Sequence, residues 1–192
     1  MTRAIFHTAT TLDGYLATDD DSLDWLFAVP GADEAEAAFG DFLAGVGALV
    51  MGSATYEWML RHEGLLDAPE KWAGYYGTRP TFVFSSRPLP HVRGADIRFV
   101  SGVVAEQWTG MRESAGEGHV WIVGGGDLAG QFADAGLLDE IRLSVAPATL
   151  GTGKPLLPRV LGPERLTLVD AKRAGQFVEL IYSVGRPVEP GD

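Results

Sequence analysis

From residue 4 to residue 135 short apolar runs alternate with stretches of helical periodicity, and beyond residue 140 the helical stretches stop. Strands separated by helices imply crossover connections and parallel pairing, whereas strands that follow one another directly pair antiparallel. Strands are expected within Ala4–Leu16, where the chain runs into a sharp turn at Gly14, and at Ala48–Met51, Thr81–Phe84, Ile97–Val100 and His119–Val123. Helices are expected over Ala32–Leu43, with Ala35, Phe39, Phe42 and Leu43 on one face and Gly45 and Gly47 ending it. Further helices are expected over Thr55–Arg61, with Ser53 as its cap, over Val104–Ser114 and over Asp127–Ala135. Glu140–Ala146, Leu166–Ala171 and Phe177–Val184 then read as three strands without a helix between them, the last two joined at Ala174-Gly175. The fold class is α/β with a mixed sheet whose C-terminal edge is antiparallel. One domain over residues 1–185 and a loose Pro/Gly-rich tail over 186–192 are expected.

Composition removes several function classes. The chain of 192 residues carries 15 Lys and Arg against 26 Asp and Glu, a net charge of −11, which opposes nucleic acids and anionic membranes. It has no cysteine, so disulfides, thiolate metal sites and thiol catalysis are excluded. His7, His62, His91 and His119 show no metal-ligand spacing. There is no Gly-x-Ser-x-Gly nucleophile elbow. The run Asp19-Asp20-Asp21 lacks the spacing of a calcium loop and reads as solvated. Met1–Thr8 enters an alternating strand pattern rather than a leader, and no apolar run approaches the roughly 20 residues that span a bilayer, so a cytoplasmic protein is expected.

Anion binding is the chemistry the residues suggest. A strand, Gly124-Gly125-Gly126 and a helix follow in order, so the helix can present unpaired N–H groups and its positive dipole end to a phosphate. Three glycines in a row exceed what one positive-φ turn requires, which favours a pyrophosphate cradle. Gly52-Ser53 stands at a second strand-to-helix junction and Ser85-Ser86-Arg87 at a third strand end. The dinucleotide fingerprint of a Rossmann fold does not apply, because this glycine run falls in the last third of the chain. Gly151-Thr-Gly-Lys154 is not a nucleotide-triphosphate loop, since Ala148 and Pro155 stand at two of its required positions. The five tryptophans, Trp25, Trp58, Trp72, Trp108 and Trp121, read as core or pocket wall.

The segments Thr10–Ala17, Val50–Glu57, Val123–Leu128, Leu138–Pro147 and Leu150–Pro155, in that order, resemble the dihydrofolate reductase-like superfamily. Within it, the chain is most similar to the C-terminal reductase domain of bifunctional riboflavin-biosynthesis deaminase-reductases and its stand-alone relatives. The resemblance spans nearly the whole chain. It implies a mixed sheet of about eight strands flanked by helices, NADPH binding, hydride transfer and a homodimer formed through the C-terminal part of the sheet.

By the same resemblance, Ala9 and Leu16 offer backbone groups to the nicotinamide, and Gly52, Ser53 and Thr55 meet the cofactor phosphates. Ser85, Ser86 and Arg87 hold the adenosine 2′-phosphate, and Gly124, Gly125, Gly126, Asp127 and Leu128 cradle the pyrophosphate. It also implies a cis peptide between Gly124 and Gly125. Lys154 is a candidate for a substrate phosphate. Two departures stand out. Relatives commonly carry Arg directly after Gly52, where this chain has Ser53, so NADH remains an alternative cofactor. Folate-reducing members place a carboxylate in the first helix after a Trp; Asp33, Glu34 and Glu36 lie near that place, with Asp13 and Glu57 as alternative acids.

The expected function is therefore NADPH-dependent reduction of a heterocyclic or ribosylamino-pyrimidine-like small molecule, as in riboflavin biosynthesis. The alternatives are a dihydrofolate reductase, and a nucleotide-binding family member without reductase turnover.

Overall fold

The computed structural model describes residues 1–30 and 33–187, with side chains for all of these except 33–38. The elements in chain order are β1 (Ala4–Thr11), β2 (Tyr15–Ala17), α1 (Asp24–Phe27), α2 (Asp33–Ala44), β3 (Val46–Gly52), α3 (Ser53–His62), α4 (Glu70–Tyr76) and β4 (Thr81–Phe84). They continue with β5 (Ile97–Val100), α5 (Val104–Ala115), β6 (His119–Gly124), α6 (Gly126–Asp134), β7 (Leu138–Ala146), β8 (Lys154–Pro155), β9 (Leu166–Ala174) and β10 (Phe177–Val184).

Eight strands form one sheet in the order β5-β4-β3-β6-β1-β7-β10-β9. The six from β5 to β7 run parallel, and β10 pairs antiparallel with both β7 and β9. This is the mixed sheet read from the sequence. The central strands are apolar on both faces, as a parallel sheet covered on both sides requires. Ala4, Phe6, Val50, Val120 and Ile122 face one layer, where α5 and α6 contribute Met111, Leu128 and Phe132. Ile5, Leu49 and Trp121 face Phe42 of α2 on the opposite side. Met51 and Val83 face Tyr56 and Met59 of α3 and Trp72 of α4 on that same side.

Some local expectations change. Gly52, in extended conformation, is the N-cap of α3; Ser53 is its first helical residue and makes no capping bond. A serine that has already entered the helix cannot fold its hydroxyl back onto the first turn. Gly47 ends no helix. It lies inside β3, where a Cβ would stand 2.0 Å from the Ala115 carbonyl oxygen. Helices α1 and α4 and the two-residue β8 are additions to the sequence reading. Of the expected tail, residues 188–192 lie outside the described residues. Among the described residues no helix is long and apolar enough to cross a membrane.

Candidate functional site

Neighbouring strands β3 and β6 send their chains to opposite faces of the sheet. After β3, α3 packs on the face shared with α4; after β6, α6 packs on the face shared with α5. A crevice opens between such strands at their carboxyl ends, and ligands of open α/β sheets bind there. A cavity of about 420 Å³ occupies this place, within the size range of small-molecule sites. Thr8 and Ala9 from β1, Val123 and Gly124 from β6, Ala54 and Thr55 from α3, and the start of α6 line it. Leu16, Leu23, Trp25, Leu26 and Trp58 add an apolar wall.

The glycine run has causes within the protein itself. A Cβ on Gly124 would meet Thr55 Oγ1 at 2.8 Å, and one on Gly126 would meet the Pro155 carbonyl oxygen at 2.3 Å. Gly125 takes φ 95°, a region that L side chains avoid. Each of the three is thus required by packing or backbone, and the excess of glycine read from the sequence disappears. The cis peptide is corrected as well: among the described residues no peptide bond is cis, and the positive φ of Gly125 makes the turn. What the run does provide is an open helix start. Gly125 caps α6 without a side-chain bond, and Gly125, Gly126 and Asp127 line the cavity. The first N–H groups of a helix have no intrahelical acceptor, so this end suits an anion.

The structure brings together Ala9, Leu16, Thr55, Gly124, Gly125, Gly126, Asp127 and Lys154 around the cavity. The side chain of Leu128 belongs to the core and leaves only its backbone for a ligand. Gly52 and Ser53 stand at the start of α3 beside the cavity-lining Ala54 and Thr55. Ser85, Ser86 and Arg87 follow β4, outside the lining. There the Ser85 hydroxyl accepts from the Arg87 N–H at 3.1 Å, and the Arg87 guanidinium forks onto the Glu57 carboxylate, with one arm at 2.9 Å.

Of the acids expected to serve catalysis, Asp13 and Glu57 are occupied. Asp13 accepts the Thr11 hydroxyl at 2.6 Å, the Gly151 N–H at 2.7 Å and the Leu150 N–H at 3.0 Å. These bonds hold its carboxyl below the usual range, the threonine hydroxyl first among them. Glu57 is likewise held ionised by the Arg87 guanidinium. Asp127 is held low by Gln131 Nε2 at 2.9 Å and Arg159 Nη2 at 3.0 Å. The side chains of Asp33, Glu34 and Glu36 lie outside the described ones. Asp13 therefore fastens the β1–β2 turn to the loop before β8.

Sequence reasoning missed Asp21, which it placed in a solvated acid run. The residue takes φ 65°, lines the cavity and stands 3.7 Å from Lys154 Nζ. It also missed Leu23 and Leu26, the N-cap and a residue of the four-residue α1, which is too short to show any period. Trp25 and Trp58 are the pocket-wall tryptophans; Trp72 and Trp121 are core.

YwjB of Bacillus subtilis (strain 168), an uncharacterised protein, is 28% identical over 180 residues, covering 94% of this chain and 97% of its own. YyaP of the same organism, also uncharacterised, is 27% identical over 185 residues, covering 94% of each chain. A crystal structure from Shewanella sp. PV-4, of a protein assigned to riboflavin biosynthesis, matches with TM-score 0.77 and 24% identity over 96% of this chain and 100% of that one. The deaminase/5-amino-6-(5-phosphoribosylamino)uracil reductase of Thermotoga maritima matches with TM-score 0.66 and 14% identity over 95% of this chain and 56% of that one. These likenesses establish a dihydrofolate reductase-like fold. The model of the RibD C-terminal domain matches residues 75–180, more than half of the sequence, and the chain belongs to that family.

Proposed function

We propose that the protein is a nicotinamide-nucleotide-dependent reductase of a nitrogen heterocycle, with NADPH as its cofactor. Family membership supports a riboflavin-pathway reductase-like function. The observation that carries the reading is the cavity at the β3–β6 switch, into which the uncapped start of α6 opens. Its residues fit the cofactor. The α6 N–H groups suit a pyrophosphate, Thr55 adds a hydroxyl, and Ala9 and Leu16 line the same cavity. When bound, the reduced nicotinamide supplies the hydride. The protein's part is to orient the substrate ring against it and to exclude water with the apolar wall.

Protonation is where this chain departs from the folate branch. A folate reducer needs a carboxyl that can give up a proton near the ring. Asp13, Glu57 and Asp127 are all held ionised by donors, so none serves as a proton donor at neutral pH. With these three carboxylates engaged, dihydrofolate is expected to be a poor substrate. The same occupied acids favour, as a second reading, a nucleotide-binding member without turnover.

Tryptophan fluorescence titrated with NADPH and with NADH tests the cofactor. Saturable binding below millimolar concentration is expected, and its absence for both removes the reductase reading. Cofactor oxidation is then followed with dihydrofolate and with ribosylamino-pyrimidines. Turnover of dihydrofolate at about 1 s⁻¹ or faster overturns the ranking. Binding without any oxidation selects the second reading.

A further inference from the structure

The apolar wall of the cavity suits a flat ring. Trp58 stacks on His62 with centroids 4.4 Å apart and planes 14° apart, and His62 stacks in turn on Phe27 at 5.3 Å and 3°. This three-ring stack joins α3 to α1 and fixes the Trp58 ring where it borders the cavity. Trp25, Leu23 and Leu26 form the rest of that wall.

Charge enters the lining at three side chains among the described residues: Asp21, Asp127 and Lys154. Asp127 is tied to Arg159 and Gln131. Lys154, the lining's one cation, stands 3.7 Å from Asp21. Asp21 is fixed there by a tight turn. Its N–H donates to the Thr18 carbonyl at 3.1 Å, the Thr18 N–H donates to the Ser22 carbonyl at 3.1 Å, and the Ser22 N–H donates to Thr18 Oγ1 at 2.9 Å. Lys154 is registered opposite Ala17 in the β2–β8 pair, so the same turn region presents both charges. With Asp127 answered by Arg159, the Asp21–Lys154 pair is the charge balance that a ligand meets in the lining.

We propose that Asp21 sets the charge of the ligand: by neutralising Lys154 beside the tryptophan-walled slot, it selects a flat, uncharged heterocycle against one bearing an anionic substituent. This rests on the reading of the cavity as the substrate site and narrows its substrate class. Lys154 then serves as counter-ion to the protein's own carboxylate rather than as a phosphate ligand. An incoming carboxylate or phosphate must compete with Asp21 for the one ammonium and meets its repulsion as well. Pairs this exposed are modest in strength, so the discrimination is a matter of several-fold rather than orders of magnitude.

The test uses pterin and pterin-6-carboxylate, which share one ring system and differ by a charge beside it. Their binding to the full chain is measured by quenching of tryptophan fluorescence, with and without NADP⁺. Pterin is expected to bind about fivefold more tightly than the carboxylate. Asp21→Asn keeps a residue that tolerates the left-handed backbone and removes the charge. It is expected to shrink the ratio below about twofold, whereas Lys154→Gln, which leaves Asp21 unopposed, widens it. Thermal melting checks that both variants fold. Equal affinities in the unmodified chain, a ratio that Asp21→Asn leaves unchanged, or no binding of either probe overturns the proposal. Failure of NADPH and NADH to bind while the pterin ratio holds overturns the reductase reading and leaves this inference standing.

Discussion

At the scale of single residues, Gly124 and Gly126 differ in what stands in their way. The obstacle to a Cβ on Gly124 is the Thr55 side chain, whose Oγ1 and Cγ2 lie at 2.8 and 3.1 Å while its Cβ is at 3.6 Å. The obstacle to one on Gly126 is the backbone of Pro155 and Leu156. Gly124→Ala is expected to cost about 1–3 kcal/mol, and Thr55→Ala in the same chain to recover most of it. Gly126→Ala is expected to cost at least as much, with no recovery from Thr55→Ala. Urea unfolding of the three single variants and the two double variants checks both cycles. The glycines were legible in the sequence as a constraint, but not its source, since nothing in the chain order places Thr55 or Pro155 against them. A second residue, His7, is buried against Phe39 and Phe42, and burial foremost, then the Arg142 charge, pushes its pKa down to about 4. Its unfolded value of 6.5 lies above the folded one, so the unfolded chain takes up the proton first as pH falls. The stability this position contributes is complete above pH 6.5 and is lost between there and about pH 4, up to about 3 kcal/mol. His7→Phe is expected to flatten that part of the pH–stability curve, measured by denaturant midpoints across the range.

At the scale of elements, long apolar strands were readable and short tethered pieces were not. β3 and β6 announce themselves by unbroken apolar runs, and β10 by its length after a turn signal. α4 buries only Trp72, which leaves no period to detect. β8 has two exposed residues and exists because the loop carrying it is fastened elsewhere. One fastening is Asp13, through the Leu150 and Gly151 N–H groups, and another is the Leu156 N–H donating to the Gly14 carbonyl at 2.9 Å. Asp13→Ala is expected to speed hydrogen exchange at Leu150 and Gly151 by about tenfold or more while the amides of β7 keep their protection. Unchanged exchange at both positions would show that the loop holds without the carboxylate. The site was half legible for the same reason. Residues at the ends of β1 and β6 and the starts of α3 and α6 line the cavity, Ser85–Arg87 after β4 do not, and those on the Thr18–Leu26 segment and on the loop before β8 depended on contacts across the chain.

At the scale of the whole molecule, β9 closes one edge of the sheet with Thr167–Arg173 exposed, Leu168 at 53% and Val169 at 60% among them. A long edge of this kind invites pairing with another chain. We propose a two-fold homodimer through this edge. Light scattering at micromolar concentration is expected to give twice the chain mass, and Val169→Lys to return it to one; a monomer from the unmodified chain contradicts the proposal. The pairing types of the strands could be read from the sequence, but their order in the sheet could not. β6, sixth in the chain, lies between β3 and β1. Until residues 119–124 have been inserted there, the first two-thirds of the chain holds β1 on one side of a gap and β3, β4 and β5 on the other, and the cavity has no floor. A chain emerging during synthesis therefore reaches its binding-competent form only after this late central strand docks. Such long-range closure slows folding, and any ligand of the cavity draws the whole sheet toward completion by binding the closed form alone.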